Sequence, residues 1–312
     1  MGFDINDFRA AGPQGPETTA TVRVVDAEND QPEFMYVGGG AINRLWNLPI
    51  LQVDGNDEYT EPGLVKYTFD WPAGWLFFSL PLDIATIESI EYNGTTLNIT
   101  DADRTMQYHG YNQYGGTYKT TGATVHQGFV DSGTYTCFAE KSIQLDKFLE
   151  LLVNDGKVII AKDYLGAAYL PEFNFNGVGL LDPNWGYQLK LTHPCSMTIT
   201  GKPYFTADED SNTITFGRII YATNGWSLVS FPMINFDPEN TNLQTGTNML
   251  VPGEDFLEAQ TAAGSLIIAK DEMGAAYLPE WNFNGIGNFK SGEAYQVKLQ
   301  NTNQVHLMDC TY

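Results

Sequence analysis

The sequence predicts a mainly β protein, β-rich with short helices, in which one small β domain occurs twice after an N-terminal region. The first observation is an internal repeat: residues 159–190 and 267–298 are identical at 20 of 32 aligned positions without a gap. The second is that short β-branched and alternating segments, bounded by Gly, Asn, Asp and Pro, recur through both copies. These patterns are typical of strands joined by tight turns.

Each copy of the repeat begins with a predicted β-hairpin. The apolar run that starts at Val158 indicates a buried strand, and the four residues from Asp163 to Gly166 fit a turn with glycine at the position of positive φ. In the second copy the turn runs from Asp271 to Gly274. Pro171 ends the returning strand because proline cannot donate to a sheet.

A second turn is predicted at Asn176-Gly177 and at the matching Asn284-Gly285, since Asn-Gly readily adopts left-handed backbone. We expect the flanking aromatic residues to be tucked inward: they are Phe173 and Phe175 in the first copy, and Trp281 and Phe283 in the second. The last predicted strands, 186–191 and 294–299, alternate with period two.

Upstream, residues 74–81 match residues 225–232, and a short helical pattern lies between this phrase and the hairpin. In the first copy the predicted helix covers 146–152 with Asp146 as its cap, and in the second it covers 252–263. The spacing differs by about 43 residues, which predicts an insertion near 92–141. The predicted domains are therefore 1–62, 63–201 with this insertion, and 202–312.

The repeated residues resemble a repeat found in surface proteins of Bacteroidetes-type bacteria and in structural proteins of marine tailed phages. The resemblance covers about half of the chain and concerns a structural module, so it implies no catalytic residues. The second copy departs from the pattern at Ala294, where glycine is expected. The matching residues of the two copies are Trp75, Lys162, Asp163, Gly166, Tyr169, Pro171, Glu172, Asn176, Gly177, Gly179 and Tyr187, and Trp226, Lys270, Asp271, Gly274, Tyr277, Pro279, Glu280, Asn284, Gly285, Gly287 and Tyr295.

The N-terminal segment combines a Gly/Pro-rich arm with a small β region over 20–62. We weigh two interpretations of the arm equally: a disordered tail, or an attachment arm anchored by Phe3, Ile5 and Phe8. No signal peptide or membrane segment is predicted. The Tyr- and Gly-rich insertion suits a contact surface, although an ordinary β excursion is the favoured interpretation.

The charge balance argues against two classes of partner, nucleic acids and membranes. With 16 Lys and Arg against 38 Asp and Glu, the formal net charge is −22, so we expect neither nucleic-acid nor membrane binding. The three cysteines, Cys137, Cys195 and Cys310, form no metal-binding pattern and are expected to be inert thiols. Acidic clusters at 101–103 and 208–210 could ligate a hard cation, but solvated turns are the favoured interpretation.

The residue pattern predicts neither an enzyme nor a metal or cofactor site. The polar set Lys162, Asp163, Glu172, Asn174 and Asn176 occurs in both copies, and a structural role is favoured, with Lys162 and Glu172 pairing across the hairpin. The leading hypothesis is an exterior structural protein of a tailed-phage virion, assembled in the host cytoplasm from several copies, a trimer if it is a fibre. Its partners would be other virion proteins and host-surface carbohydrate. The alternatives are a bacterial adhesin or carbohydrate-binding module, and a polysaccharide-degrading enzyme.

Overall fold

The computed structural model describes residues 36–37, 40–41, 50–52, 62–112, 135–208, 213–216, 222, 225–237, 241–300 and 306–309. Over these residues the predicted mainly β fold class is confirmed. The predicted attachment residues Phe3, Ile5 and Phe8, and most of the β region expected over 20–62, lie outside the described residues.

The described strands, in chain order, are β1 (Tyr36–Val37), β2 (Gly40–Ala41), β3 (Ile50–Gln52), β4 (Val65–Trp71), β5 (Gly74–Phe78), β6 (Ser89–Tyr92), β7 (Thr95–Asn98), β8 (Arg104–Asn112), β9 (Tyr135–Ile143), β10 (Val158–Lys162), β11 (Ala168–Leu170), β12 (Phe175–Asn176), β13 (Tyr187–Leu191), β14 (Cys195–Gly201), β15 (Phe205–Asp208), β16 (Thr213–Phe216), β17 (Gly225–Ser230), β18 (Gln244–Thr245), β19 (Leu250–Pro252), β20 (Leu266–Lys270), β21 (Ala276–Leu278), β22 (Phe283–Asn284), β23 (Asn288–Lys290), β24 (Ala294–Leu299) and β25 (His306–Asp309). The described α-helices are α1 (Leu145–Phe148), α2 (Glu150–Asn154), α3 (Gly253–Phe256) and α4 (Glu258–Ala262). Single 3-10 turns occupy Ile84–Thr86, Asp101–Asp103, Pro171–Phe173 and Pro279–Trp281.

The two copies of the repeat form sheets with the same strand order. The first repeat sheet has the order β12-β11-β10-β13-β5, and the second has β22-β21-β20-β24-β17. Their registers also agree: Trp75 lies opposite Lys190, and Trp226 lies opposite Lys298. Both sheets have a register shift at the same place, between Val158 and Ile160 and between Leu266 and Ile268.

The first repeat sheet faces a companion sheet of order β18-β4-β14-β6-β7 across an aromatic core. The alternation of β4 places its odd-numbered residues inward. Trp71 on β4 lies 5.3 Å, between ring centres, from Phe78 on β5, and Phe78 also contacts Phe148 of α1 and Tyr187 of β13. Burial of such large rings contributes strongly to the stability of this half of the chain.

The core of the second repeat is smaller, and it contains residues of α3 and of the paired strands β19 and β23 as well as residues of the repeat sheet. Phe256 of α3 stacks on Phe289 of β23 with ring centres 4.6 Å apart, and Phe289 lies 3.8 Å from Tyr295 of β24. The side chains of Leu257 and Val297 complete this core and are fully buried. The outer faces of both repeat sheets, opposite these cores, carry exposed apolar side chains.

The helical segments differ from the single helices predicted by the sequence. In the first copy α1 and α2 are separated at Leu149, whose backbone (φ −94°, ψ 4°) leaves the helical region. Asp146 is inside the first turn of α1, and Gln144 is the N-cap, without a side-chain cap hydrogen bond. The prediction of Asp146 as a cap is wrong, because the chain begins to turn two residues earlier, after the bridge between Gln144 and Leu180.

Strands from different segments of the chain share sheets. The two-residue strand β18, after the second copy of the Gly-Trp phrase, pairs in parallel with β4. The long β8–β9 hairpin lies in the predicted insertion, and β25, near the C-terminus, pairs with β8. The strand β3, from the N-terminal region, pairs with β16.

The two repeats contact each other through equivalent residues, as in a dimer with a two-fold axis. The amide of Ser79 donates to the carbonyl of Gly292, and the amide of Ser230 donates to the carbonyl of Asn184. Under the repeat alignment Ser79 corresponds to Ser230, and Asn184 corresponds to Gly292. Isolated bridges follow the same rule, with Phe78 opposite Glu293 and Val229 opposite Trp185. The two copies of the repeat thus form a pseudo-symmetric pair within one chain.

Gly186 and Ala294 are equivalent positions that meet at this pseudo-two-fold contact. A methyl group built on Gly186 would place its Cβ 2.2 Å from the Cβ of Ala294. Ala294 is fully buried, so only one of the two equivalent positions has room for a methyl. This contact gives a steric reason why the two copies differ here: the first copy has glycine at 186, and the second copy has alanine at 294, where the repeat pattern has glycine.

Candidate ligand-binding faces

The exposed large apolar side chains occur at equivalent positions in the two copies. Eight of the eleven in the described residues form four matched pairs: Trp75 with Trp226, Leu165 with Met273, Phe173 with Trp281, and Phe175 with Phe283. Two of these pairs differ in residue type between the copies, yet both members stay large and apolar. Exposed apolar surface commonly marks a site of interaction.

The predicted inward packing of the turn aromatics is therefore wrong. Phe173 and Trp281 are each 69% exposed. The physical reason is the backbone of the 3-10 turns, which end at Asn174 and Asn282 with φ of 49° and 47°. These left-handed residues, rather than the Asn-Gly pairs, reverse the chain and direct the preceding ring toward solvent.

In the first repeat, one row of side chains crosses the outer surface of all five strands. Lys190 lies opposite Trp75 on one side and Ile160 on the other, and Leu170 lies opposite Phe175. The pairing of Ala161 with Tyr169 puts Leu170 beside Ile160, which completes the row. At about 4.8 Å per strand the row is roughly 19 Å wide, with an exposed aromatic ring at each end.

We name two surfaces from this arrangement. The first face consists of Trp75, Lys162, Lys190, Leu170 and Phe175. The second face consists of the equivalent residues Trp226, Lys270, Lys298, Leu278 and Phe283.

Two lysines flank the tryptophan of each face. The Nζ atoms of Lys162 and Lys190 lie 5.6 and 5.5 Å from the ring centre of Trp75. In the second face the Nζ atoms of Lys270 and Lys298 lie 5.4 and 5.7 Å from the ring centre of Trp226. Each cation–π contact contributes about 0.5–1 kcal/mol at an exposed site, enough to bias where the ammonium groups lie.

These contacts replace the predicted pair between Lys162 and Glu172. Among the described residues no ion pair joins the two, because the Lys162 ammonium lies over Trp75 instead. The prediction for this pair is therefore wrong. The contact of Lys162 with Trp75 was not predicted, because Trp75 lies 87 residues away along the chain. Register between distant strands cannot be deduced from residue types within the hairpin.

Most other lysines and arginines in the described part of the chain are neutralised by carboxylates, whereas none of the four face lysines makes an ion pair there. The ion pairs are Lys66 with Glu91, Arg104 with Asp101, Lys141 with Asp101, Lys147 with Asp103 and Glu150, Lys157 with Asp155, and Lys290 with Glu293. In a chain with a formal net charge of −22, the two faces therefore present cations that make no ion pair with a carboxylate of the described residues.

The predicted hairpin turn is present in both copies. Asp163 Oδ1 accepts hydrogen bonds from the amides of Leu165 and Ala167, at 2.9 and 2.8 Å, and Asp271 makes the equivalent bonds. Gly166 has φ of +90° and Gly274 has φ of +85°, the positive values that such a turn requires. The turn presents Leu165 or Met273 at its exposed tip.

Replacing Gly166 or Gly274 by valine is expected to lower the free energy of unfolding by about 1 kcal/mol or more, because a β-branched residue resists positive φ. A Cβ at either position would meet nothing within 4 Å, so the cost comes from the backbone alone. Urea unfolding measures it, with Leu165→Val in the same turn as the control. Equal stability of Gly166→Val and the control would contradict the turn assignment.

The Asn-Gly positions hold the loop after the turn. Asn176 Oδ1 accepts from the amide of Gly179 at 2.9 Å, and Asn284 Oδ1 accepts from that of Gly287 at 2.8 Å. A Cβ on Gly177 would lie 2.9 Å from the Phe175 ring. Glycine is needed at 177 because the ring of Phe175 lies close to its backbone, and at 285 because the ring of Phe283 does the same. Neither glycine has the left-handed backbone that the Asn-Gly pattern predicted.

The carboxylates of the acidic cluster at 101–103 make hydrogen bonds and ion pairs with neighbouring residues. Asp103 accepts hydrogen bonds from the amide and hydroxyl of Thr100, which lower the pKa of its carboxyl. Asp101 pairs with Lys141 at 3.1 Å. Among the described residues no group of three or more His, Cys, Asp and Glu side chains could hold a metal ion. The side chains of 208–210 lie outside the described part.

The one cysteine whose side chain is described has a suppressed thiolate. Cys195 is a free, half-buried thiol, and burial raises its pKa to about 11. At neutral pH the thiol is protonated and weakly nucleophilic. The side chains of Cys137 and Cys310 lie outside the described part of the chain.

The two repeats differ at one pair of positions beside their contact. In the first copy Tyr164 stacks on Trp185 with ring centres 3.9 Å apart. In the second copy the equivalent residues are Glu272 and Glu293. Burial raises the pKa of Glu272 above its ordinary value of 4.5, and the negative charge of Glu293 adds to the shift.

The Glu272→Gln variant is expected to unfold with a weaker dependence on pH than the parent chain above pH 4.5. Because the pKa of Glu272 is higher in the folded chain than in the unfolded chain, the unfolded chain releases this proton first as pH rises through 4.5, and the contribution of Glu272 to stability falls. The variant should also gain stability at neutral pH. Thermal unfolding between pH 4.5 and 7.5 measures both effects, and parallel curves for parent and variant would contradict them.

In comparisons with known proteins, no family model matches the chain, and no curated protein or solved structure is similar enough to count as a match. None of the helices in the described residues is long and apolar enough to cross a membrane.

Proposed function

We propose that this chain is a non-enzymatic structural protein on the exterior of a tailed-phage virion, such as a fibre, decoration or head or tail accessory protein. It assembles in the host cytoplasm, attaches through its N-terminal region and displays the two repeats outward. The observation that carries the proposal is the construction of the two faces. Aromatic and lysine side chains stand in the same arrangement on two sheets, which suits contact with a partner.

The resemblance of the repeats to phage structural proteins supports this setting, and so does the acidic surface. A net charge of −22 disfavours contact with packaged DNA and favours solubility at high local concentration. Several identical copies are expected in one particle, in a trimer if the protein is a fibre. The partners are other virion proteins.

A second candidate function is a bacterial surface adhesin or carbohydrate-binding module. The exposed aromatic residues at the two ends of each face favour it, since flat rings at a sheet surface can stack on sugar rings. In that case the chain would be displayed on a cell surface and would bind carbohydrate through the exposed aromatic residues of the two faces.

Deleting residues 1–20 separates attachment from folding. If the N-terminal arm joins the chain to its particle, the truncated protein should be soluble and folded yet absent from purified virions. The full-length chain, expressed beside it with a distinguishable tag, is the control for assembly. Incorporation of the truncated chain at the same level as the control would contradict attachment through Phe3, Ile5 and Phe8.

A further inference from the structure

We propose that the first and second faces are two equivalent binding sites for an acidic polysaccharide, one bearing carboxylate or sulfate groups on its sugar rings. This deepens the proposed display function by naming what the repeats bind, and it rests on that function only for its biological setting. The binding itself is a property of the isolated chain.

The aromatic residues supply the surface for the sugar rings. Trp75 and Phe175 are 46% and 53% exposed and stand at the two ends of one row, with Leu170 between them. A row about 19 Å wide accommodates several consecutive sugar units, whose C–H faces pack on apolar rings. The aromatic anchors lie on β-strands, so their backbone is ordered before a ligand binds.

The lysines supply the charge. The ammonium groups of Lys162 and Lys190 lie over the ring of Trp75, so a sugar that packs against the exposed part of this ring brings its acidic substituent within reach of both. An ammonium is a compact point charge with three donors, and it accepts a carboxylate or a sulfate from a range of directions. Since no carboxylate of the described residues pairs with these lysines, binding an anion breaks no existing ion pair.

The duplication favours a polymer over a small anion. One chain carries two sites of the same composition, and a ligand with a repeating unit can engage both or bridge neighbouring chains. A nucleic acid also has a repeating anionic backbone, but DNA carries one charge per 1.7 Å of helix axis and would be repelled by the acidic remainder of the protein. A polysaccharide with one acidic group per sugar or per disaccharide has a lower charge density.

The test is calorimetry of the purified full-length chain with a polyuronate, a sulfated glycan and neutral dextran, at low and high salt. At least one acidic polymer should bind, more weakly as salt rises, and neutral dextran should bind at least about 10-fold more weakly. Replacing both tryptophans by alanine, Trp75→Ala with Trp226→Ala, should weaken binding about 30-fold or more, as for aromatic anchors elsewhere. Circular dichroism checks that the variant is folded.

Matched charge variants separate the faces from general electrostatics. Lys162→Gln with Lys190→Gln, and Lys270→Gln with Lys298→Gln, should each lower the number of bound polymer segments by half and weaken binding to a long polymer about 10-fold or more through lost bivalency. Lys66→Gln with Lys290→Gln removes the same charge from positions off the faces and should leave binding unchanged.

Three outcomes would overturn the proposal: no binding of either acidic polymer by the folded chain, equal losses in the face and control variants, or equal affinity for duplex DNA titrated in the same way. Binding of only one of the two acidic polymers, the polyuronate or the sulfated glycan, would support the proposal and would identify the acidic group that the faces recognise. If the chain binds no acidic polymer, the proposed location on the virion is unaffected. If the chain is absent from virions, the predicted affinities are unaffected.

Discussion

The variant Phe78→Ala should lose about 3–5 kcal/mol of unfolding free energy, the largest effect that we expect from a single substitution. Phe78 is fully buried on β5, with its ring centre 5.3 Å from that of Trp71, 5.4 Å from Tyr187 and 6.1 Å from Phe148. Removing the ring therefore leaves a cavity between the two sheets and α1. Domains are stable by about 5–15 kcal/mol, so the loss is a large fraction of the total.

The adjacent residue provides the control. Phe77 points to the opposite side of β5 and is only partly buried, so Phe77→Ala should cost much less. Urea unfolding followed by fluorescence gives both midpoints and slopes. Similar losses for the two variants would contradict the assignment of Phe78 to the core and Phe77 to the outer surface.

The variant Gly186→Ala should destabilise the chain by about 1–3 kcal/mol, because its new methyl has no space at the pseudo-two-fold contact. The Cβ would lie 2.2 Å from the Cβ of Ala294 and 3.0 Å from the Cγ of Leu228. Gly186 has no positive φ, so the cost is steric and not conformational.

Exchanging the two residues tests the contact itself. If the two methyl groups exclude each other, Gly186→Ala with Ala294→Gly should recover most of the stability lost in Gly186→Ala alone. The expected coupling between the two sites is about 0.5–3 kcal/mol. Ala294→Gly by itself is the control for glycine in a strand, which costs about 0.5–1 kcal/mol. Additive effects would show that the two positions do not meet.

Local features of the fold were predictable from the sequence because they depend on neighbouring residues. The Asp163–Gly166 turn needs an aspartate and a glycine three positions apart, and both are visible in the sequence. The predicted strand 294–299 coincides with β24 because period-two alternation marks its buried face. The two copies supported each other, since each hairpin pattern occurred twice.

The candidate site could not be predicted because it depends on register between distant strands. Trp75 meets Lys190 and Lys162 only when β5, β13 and β10 align in one sheet, and no local pattern specifies that alignment. The exposure of Phe173 was missed for a related reason. Aromatic residues beside a turn are usually packed inward, and the left-handed backbone at Asn174 reverses that direction.

The two-fold contact between the repeats was also beyond the sequence, although one signal of it was present. The change from glycine to Ala294 in the second copy looked like a loss of pattern, whereas it marks the position where equivalent residues meet. A difference between nearly identical copies is informative when a structure places the two positions together.

The most direct test of the proposed role is immunogold electron microscopy of intact phage particles purified from cells that produce this chain, with an antibody raised against residues 63–300. The proposal predicts gold on the outside of untreated particles, at a constant position and in several copies per particle. Absence of gold from both intact and disrupted particles, with the protein left in the lysate, would contradict it, as would labelling that requires disruption of the particle.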